Sequence, residues 1–294
     1  MASGTRKSFD SDPEPARIAE GAVAHDESMN FGVDERKLVR KVDLHLIPLV
    51  MLLYTFSFLD RVNIGNARLY GLEEDLGLVG NQFQIAVSIL FVTYVLFELP
   101  SNLVLKPIGP QRWLAFIVFV WGVIALATGL VNNFESLVAL RVLLGAFEAG
   151  LFPGLNLYLT FFYTKRELAL RVGYLFVSAA VAGALGGLLA YGIGHLGGVR
   201  GMSGWRWIMI IEGIPTVLLA FFVYFLLPND PEHAYFLTPD EKKLMAARHR
   251  RQYGYTESAK QFSKKDMMKA FKDWKVWVFC IGQFGADTML YGRC

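Results

Sequence analysis

Six apolar segments, each about 20 residues long and so long enough to cross a bilayer, recur between Leu44 and Leu227. They run near Leu44–Leu69, Ile85–Leu105, Trp113–Leu130, Leu137–Leu159, Val172–Ile193 and Trp207–Leu227. A chain divided this way has few choices. Within a bilayer every backbone N–H and C=O must be paired inside the protein, and segments of this length manage that as α-helices. The expected fold class is therefore all-α, a multi-pass membrane protein built on a six-helix bundle. A further apolar segment starts at Val276 and reaches Gly292, shorter than a usual span and interrupted by Gln283 and Asp287. It reads as a partial seventh helix.

The polar stretches divide the rest. Residues 1–43 lack any apolar run, so no secretory signal is expected there, and the composition is that of a disordered tail. Its last part, Asp34 to Asp43, reads as an amphipathic lead-in to the bundle at residues 44–227. Residues 228–275 form a long basic loop, and residues 276–294 the truncated seventh helix. Lys106, Arg112, Lys165, Arg166, Arg171 and a dense loop set from Lys242 to Lys265 lie on one side, against Arg68, Arg200 and Arg206 on the other. That asymmetry places the amino terminus and the long loop in the cytoplasm, with the loop cations against anionic lipid head groups.

Several function classes fall away. A net charge of +3 is too small to point to nucleic acid. Cys280 and Cys294 make no disulfide framework, and the five scattered histidines show no ligand spacing, so neither metal nor cofactor is expected. The Gly-Ile-Gly-His-Leu-Gly run at 192–197 spells a dinucleotide fingerprint, but it ends a membrane segment instead of following a strand. No paired histidines or serine nucleophile motif occur in the spans, so an enzyme is not expected.

What remains to be explained is charge where charge is expensive. Asp60 and Arg61 lie in the first span, Glu98 in the second, Arg141 and Glu148 in the fourth and Glu212 in the sixth. A centrally buried arginine costs roughly 2.5–3.5 kcal/mol on insertion scales, and intramembrane charges normally face a cavity or a partner. Counting 1.5 Å per residue from the span ends puts Arg61 roughly 12 Å and Arg141 roughly 10 Å inside, near one level, with Glu148 about 10 Å beyond Arg141. Two arginine forks at one depth suit an anion held between them. Asp60 and Glu148 would then carry protons, since a desolvated carboxyl is readily protonated. The competing reading pairs Asp60 with Arg141, or Arg61 with Glu148, to hold helices in register. Glu98, just before Pro100, and Glu212, before Gly213 and Pro215, are as well explained by gating as by structure.

At these residues a resemblance appears. Leu59-Asp60-Arg61-Val62-Asn63-Ile64-Gly65-Asn66-Ala67 resembles the first-helix signature of the anion:cation symporter family within the major facilitator superfamily, in its fungal allantoate and nicotinate permease branch. Phe97–Asn102, Gly109–Trp113, Arg141–Gly154, Gly204–Trp207 and Ile211–Gly213 match in the same order. Pro228–Pro239 resembles the start of that family's central loop. The resemblance implies a twelve-helix, two-bundle carrier that takes up a small organic anion with a proton by alternating access, in the plasma membrane. It assigns anion contact to Arg61, Arg141 and Asn63, and proton coupling to Asp60 and Glu148. Lys106-Pro107 stands where Asp-Arg is common in the superfamily, and relatives continue beyond Tyr291-Gly292, so an amino-terminal half is implied. The alternative is a transport-inactive half-carrier or sensor that associates with full-length permeases.

Overall fold

The computed structural model describes residues 34–253 and, separately, residues 268–269, 272–278 and 281–282. The amino-terminal tail, Gln283 and Asp287 lie outside the described residues. The described residues are helical and contain no strand. They form α1 (Glu35–Leu69), the short α2 (Leu72–Asp75), α3 (Gln82–Ile108), α4 (Pro110–Thr128), α5 (Phe134–Glu148), α6 (Leu151–Leu159), α7 (Lys165–Gly194), α8 (Gly204–Leu226) and α9 (Pro239–Tyr253). Six helical stretches are long and apolar enough to cross a membrane, α5 and α6 together making one of them.

The amphipathic lead-in and the first span are one helix, capped by Asp34, whose carboxylate accepts the Arg36 N–H at 2.9 Å. The fourth span is interrupted after Glu148. Pro153 has no N–H to give the Ala149 carbonyl, so the helical ladder lapses there although Ala149 and Gly150 keep helical dihedrals. At the α3–α4 joint, Gly109 adopts φ 92°, ψ 146°, a conformation open to glycine and strained for other residues. Asn229 closes that joint: its Oδ1 accepts the Gln111 N–H at 3.1 Å and its Nδ2 donates to Gln111 Oε1 at 3.2 Å.

α4 packs most extensively on α8, α3 on α5, and α1 on α7 and α8. Small residues permit these approaches. A Cβ on Gly145 would run into the Leu90 carbonyl, and one on Gly122 would sit 2.8 Å from the Val217 nitrogen. Gly150 and Gly154 pack against Ser101, Leu105 and Leu114. Gly183 and Gly187 have no described atom within 4 Å of a Cβ position; it is Gly186 that meets α1, at Leu59 and Val62.

The stretch expected as a loop against lipid packs on the bundle over residues 234–245. Ala234, Phe236, Leu237, Leu244 and Met245 are buried in the main core, and α9 lies on the bundle end that holds the start of α1. Arg248 Nη2 donates to Glu167 at 2.6 Å and Nε lies 2.5 Å from a Glu35 carboxylate oxygen. Lys41 pairs with Glu241 at 2.8 Å. These apolar residues are scattered among polar ones, so they make no span and bury only because the bundle end receives them. At the other end, Asp75 accepts from Trp205 Nε1 and Arg206 Nε, both at 2.9 Å, tying α2 to α8.

The core falls into two apolar clusters, one toward the α9 end and a smaller one around Ile64, Phe83, Leu137, Trp205 and Met209. Along α1, α5 and α8 the buried polar residues Asp60, Asn63, Arg141 and Glu212 fall between the positions that feed these clusters.

Candidate functional site

The polar layer is built from three helices and supported by a fourth. α1 contributes Ser57, Asp60, Arg61 and Asn63, covering a little under two turns. α5 contributes Arg141 and Glu148, two turns apart on one face. α8 supplies Glu212 and α4 supplies Trp121.

Glu148 is 1% exposed. Its Oε1 accepts from Ser57 Oγ at 2.6 Å and from Arg61 Nε at 2.8 Å, while Oε2 has no hydrogen-bond partner among the described residues. Arg61 also lies over the rings of Tyr94 and Phe58, 4.9 and 5.4 Å from their centroids. Asp60 accepts a hydrogen bond from Trp121 Nε1. Asn63 Nδ2 donates to Glu212 Oε2. Arg141 is 2% exposed, and its Nε has no partner. Among the described residues its guanidinium forms no ion pair, although Asp60 and Glu148 lie within electrostatic reach.

Asp60, Arg61, Arg141 and Glu148 are thus brought together, with Asn63 and Glu212 beside them. The arrangement is not two arginines facing each other across an open space: Arg61 is engaged by Glu148, and Arg141 is the cation without a contact partner. Depth counted along helix axes missed this because side chains lean toward their helix amino terminus. α1 and α5 run in opposite directions, so Arg61 and Glu148 lean toward one another. Glu98 is half-buried on α3, one turn beyond Tyr94, and its side chain makes no described hydrogen bond; its carbonyl accepts from Asn102 Nδ2 at 3.0 Å.

Sequence reasoning passed over Ser57, Trp121 and Tyr94. Ser57 could have been found, since it precedes Arg61 by four residues and shares its face. A buried indole also needs an acceptor for its N–H, but nothing local said that Trp121 would find Asp60. Chemically, the cluster holds a guanidinium without an ion-pair partner among the described residues and three carboxyls, those of Asp60, Glu148 and Glu212, away from water.

The profile of the Major Facilitator Superfamily matches residues 50–292. The chain belongs to that superfamily. It is 47% identical over 255 residues to an uncharacterized transporter of Schizosaccharomyces pombe, covering 87% of this chain and 51% of that protein. It is 35% identical over 258 residues to the high-affinity nicotinic acid transporter of Saccharomyces cerevisiae, covering 88% of this chain and 48% of that one. The chain therefore spans about half the length of the curated relatives it matches. A crystal structure of a bacterial homolog to the human lysosomal transporter Spinster, inward-facing and occupied, aligns with a TM-score of 0.58. That alignment covers 63% of this chain and 44% of the other at 21% identity, which speaks for the fold alone. The superfamily and these relatives are transporters and not enzymes, and the chain is an integral, multi-pass membrane protein.

Proposed function

We propose that this chain forms one wall of a proton-coupled carrier for a small organic anion, of the anion:cation symporter type. The observation that carries the reading is Arg141: a guanidinium 2% exposed, with no ion-pair partner among the described residues. Burying an uncompensated charge is expensive, and a ligand carboxylate is the counter-ion a guanidinium fork fits best. The neighbouring pair supplies the coupling. While Glu148 is ionised it holds Arg61; a proton on Glu148 would release Arg61 toward the same anion. A proton on Asp60 would likewise leave Arg141 with the ligand as its counter-charge. Proton and anion then favour each other's binding, as linkage requires.

The substrate class is a carboxylate such as nicotinate or allantoate, on the strength of the first-helix signature and the nicotinic acid transporter among the relatives. Uptake implies the plasma membrane, and the Lys and Arg asymmetry implies a cytoplasmic amino terminus. Transport by alternating access requires a second wall opposite this one.

The test is calorimetric titration of nicotinate and allantoate into the purified chain in lipid nanodiscs, in two buffers of different ionisation enthalpy. Saturable binding accompanied by proton uptake is expected, and at least tenfold weaker binding by Arg141→Lys. Binding that Arg141→Lys leaves untouched, or that takes up no proton, sinks the assignment.

A further inference from the structure

The carrier reading uses two arginines and two carboxylates, Asp60, Arg61, Arg141 and Glu148. Glu212 is left over. It is 4% exposed on α8, and no Lys or Arg lies within ion-pair distance among the described residues. Its neighbour is an amide, Asn63, which is fully buried and donates its Nδ2–H to Glu212 Oε2. The other two heteroatoms of this pair, Glu212 Oε1 and Asn63 Oδ1, are both buried acceptors with no donor among the described residues.

Buried polar groups are ordinarily hydrogen-bonded, and each orphan is costly. Here the two orphans belong to the two side chains already in contact. One proton resolves both. A carboxylic acid beside a primary amide closes a ring of two hydrogen bonds: amide N–H to acid carbonyl, and acid O–H to amide carbonyl. Placed on Glu212 Oε1, the proton would satisfy that oxygen and supply the donor that Asn63 Oδ1 lacks. It would also remove an uncompensated negative charge from the bundle interior.

We propose that Glu212 and Asn63 form a second proton-binding site, a neutral acid–amide pair bridging α8 and α1, separate from the arginine cluster. It deepens the carrier reading and rests on it only for its use in transport. The titratable surroundings are sparse. α4 carries none beyond Arg112, α7 none between Tyr174 and Tyr191, and on α1 the group within electrostatic reach of Glu212 is Asp60, three residues before Asn63. Arg141 and Glu148, on α5, reach Asp60 in turn. Losing the proton would leave the Asn63 N–H bond to Glu212 in place and strip the donor from Asn63 Oδ1, so the second half of the ring is what titrates.

Infrared spectroscopy of the full chain in lipid nanodiscs, across a pH series in H2O and D2O, tests this. The wild type should show a protonated-carboxyl C=O stretch at neutral pH that moves in D2O and disappears in alkaline buffer. Glu212→Gln, a near-isostere of the neutral acid, should fold and lack that band, while Glu148→Gln should keep it. Asn63→Leu should retain the band at the frequency of a less hydrogen-bonded acid. A Glu212→Gln spectrum identical to wild type, or no such band at neutral pH, or a band that survives alkaline buffer, would overturn the proposal. Anion affinity of the wild-type chain is read independently. An acid band with no anion binding defeats the carrier reading and leaves this one; anion binding with no Glu212 band does the reverse.

Discussion

Two buried arginines in this bundle have opposite surroundings. Arg171, near the α9 end of α7, donates from Nε and Nη2 to both Asp43 oxygens at 3.0 and 2.6 Å, and from Nη1 to the Glu167 carbonyl at 3.0 Å. The Tyr163 ring centroid lies 4.7 Å from its guanidinium carbon. Arg141, in the polar layer, has none of these. The first is saturated by the fold, with nothing left to offer a ligand. The second is held in the interior by α5 without being neutralised by contact. A saturated buried charge joins helices; an unsaturated one still has its donors to offer, which is why we propose Arg141 as the anion contact. Burial alone does not separate the two cases, and the partner census does.

Replacing each arginine by methionine should widen the contrast. Arg171→Met strands the Asp43 carboxylate and breaks a bidentate pair, and we expect a loss of about 2–4 kcal/mol, read as a lowered thermal unfolding midpoint in detergent. Arg141→Met removes an unpaired charge at similar volume, so its midpoint should hold or rise while carboxylate binding disappears. Equal destabilisation by both substitutions would erase the distinction. The next largest effect is Arg141→Lys, which keeps charge and loses the fork; affinity should fall about tenfold, or about 1.4 kcal/mol, with stability unchanged in the same scan.

Glu148→Gln sharpens the comparison from the other side, since it turns Arg61 from a saturated arginine into an unsaturated one. Anion affinity should rise at neutral pH, and the proton uptake accompanying binding should drop, both visible in the two-buffer titration. A smaller effect belongs to the α9 end. Partial burial pushes the Glu241 carboxyl up, but hydrogen bonds from Lys41 and the Thr238 N–H outweigh it and hold the group below its ordinary value of 4.5. A carboxyl depressed in the folded state stabilises above its unfolded value, and that contribution is lost as pH falls through the folded one. Amide exchange in α9 should therefore accelerate below about pH 4.5, and Glu241→Gln should abolish the step. Exchange that is flat with pH in the wild type would show that Lys41–Glu241 does not hold α9.

Much of this was legible beforehand. The six spans, their order and the embedded charges follow from apolar run length and the cost of charge in lipid; the structure lengthens each of them at its amino-terminal end, trims the third to Thr128 and the sixth to Leu226, and breaks the fourth after Glu148. Less legible was anything that depends on two distant segments meeting. Trp121 looked like one more apolar residue of α4 until α1 supplied an acceptor. Phe236, Leu237, Leu244 and Met245 looked like scattered loop residues until the bundle end gave them somewhere to bury. The Arg61–Glu148 pair was available as one of two pairings, and axial rise argued against it because side-chain lean is invisible to a count of residues. The break after Glu148 could have been read from Pro153, four positions beyond Ala149.

Arg248 carries a mechanical consequence. One guanidinium, supplied by a helix outside the spanning set, reaches Glu35 at the start of α1 and Glu167 at the start of α7. It works as a clasp across two long levers near their tips, where a small angular change makes the largest displacement. Any force that tilts α1 against α7 must first undo that clasp or carry α9 along. The segment after the sixth span is thus tied to the ends of two spanning helices at once, and cannot stay in register with both if they tilt apart.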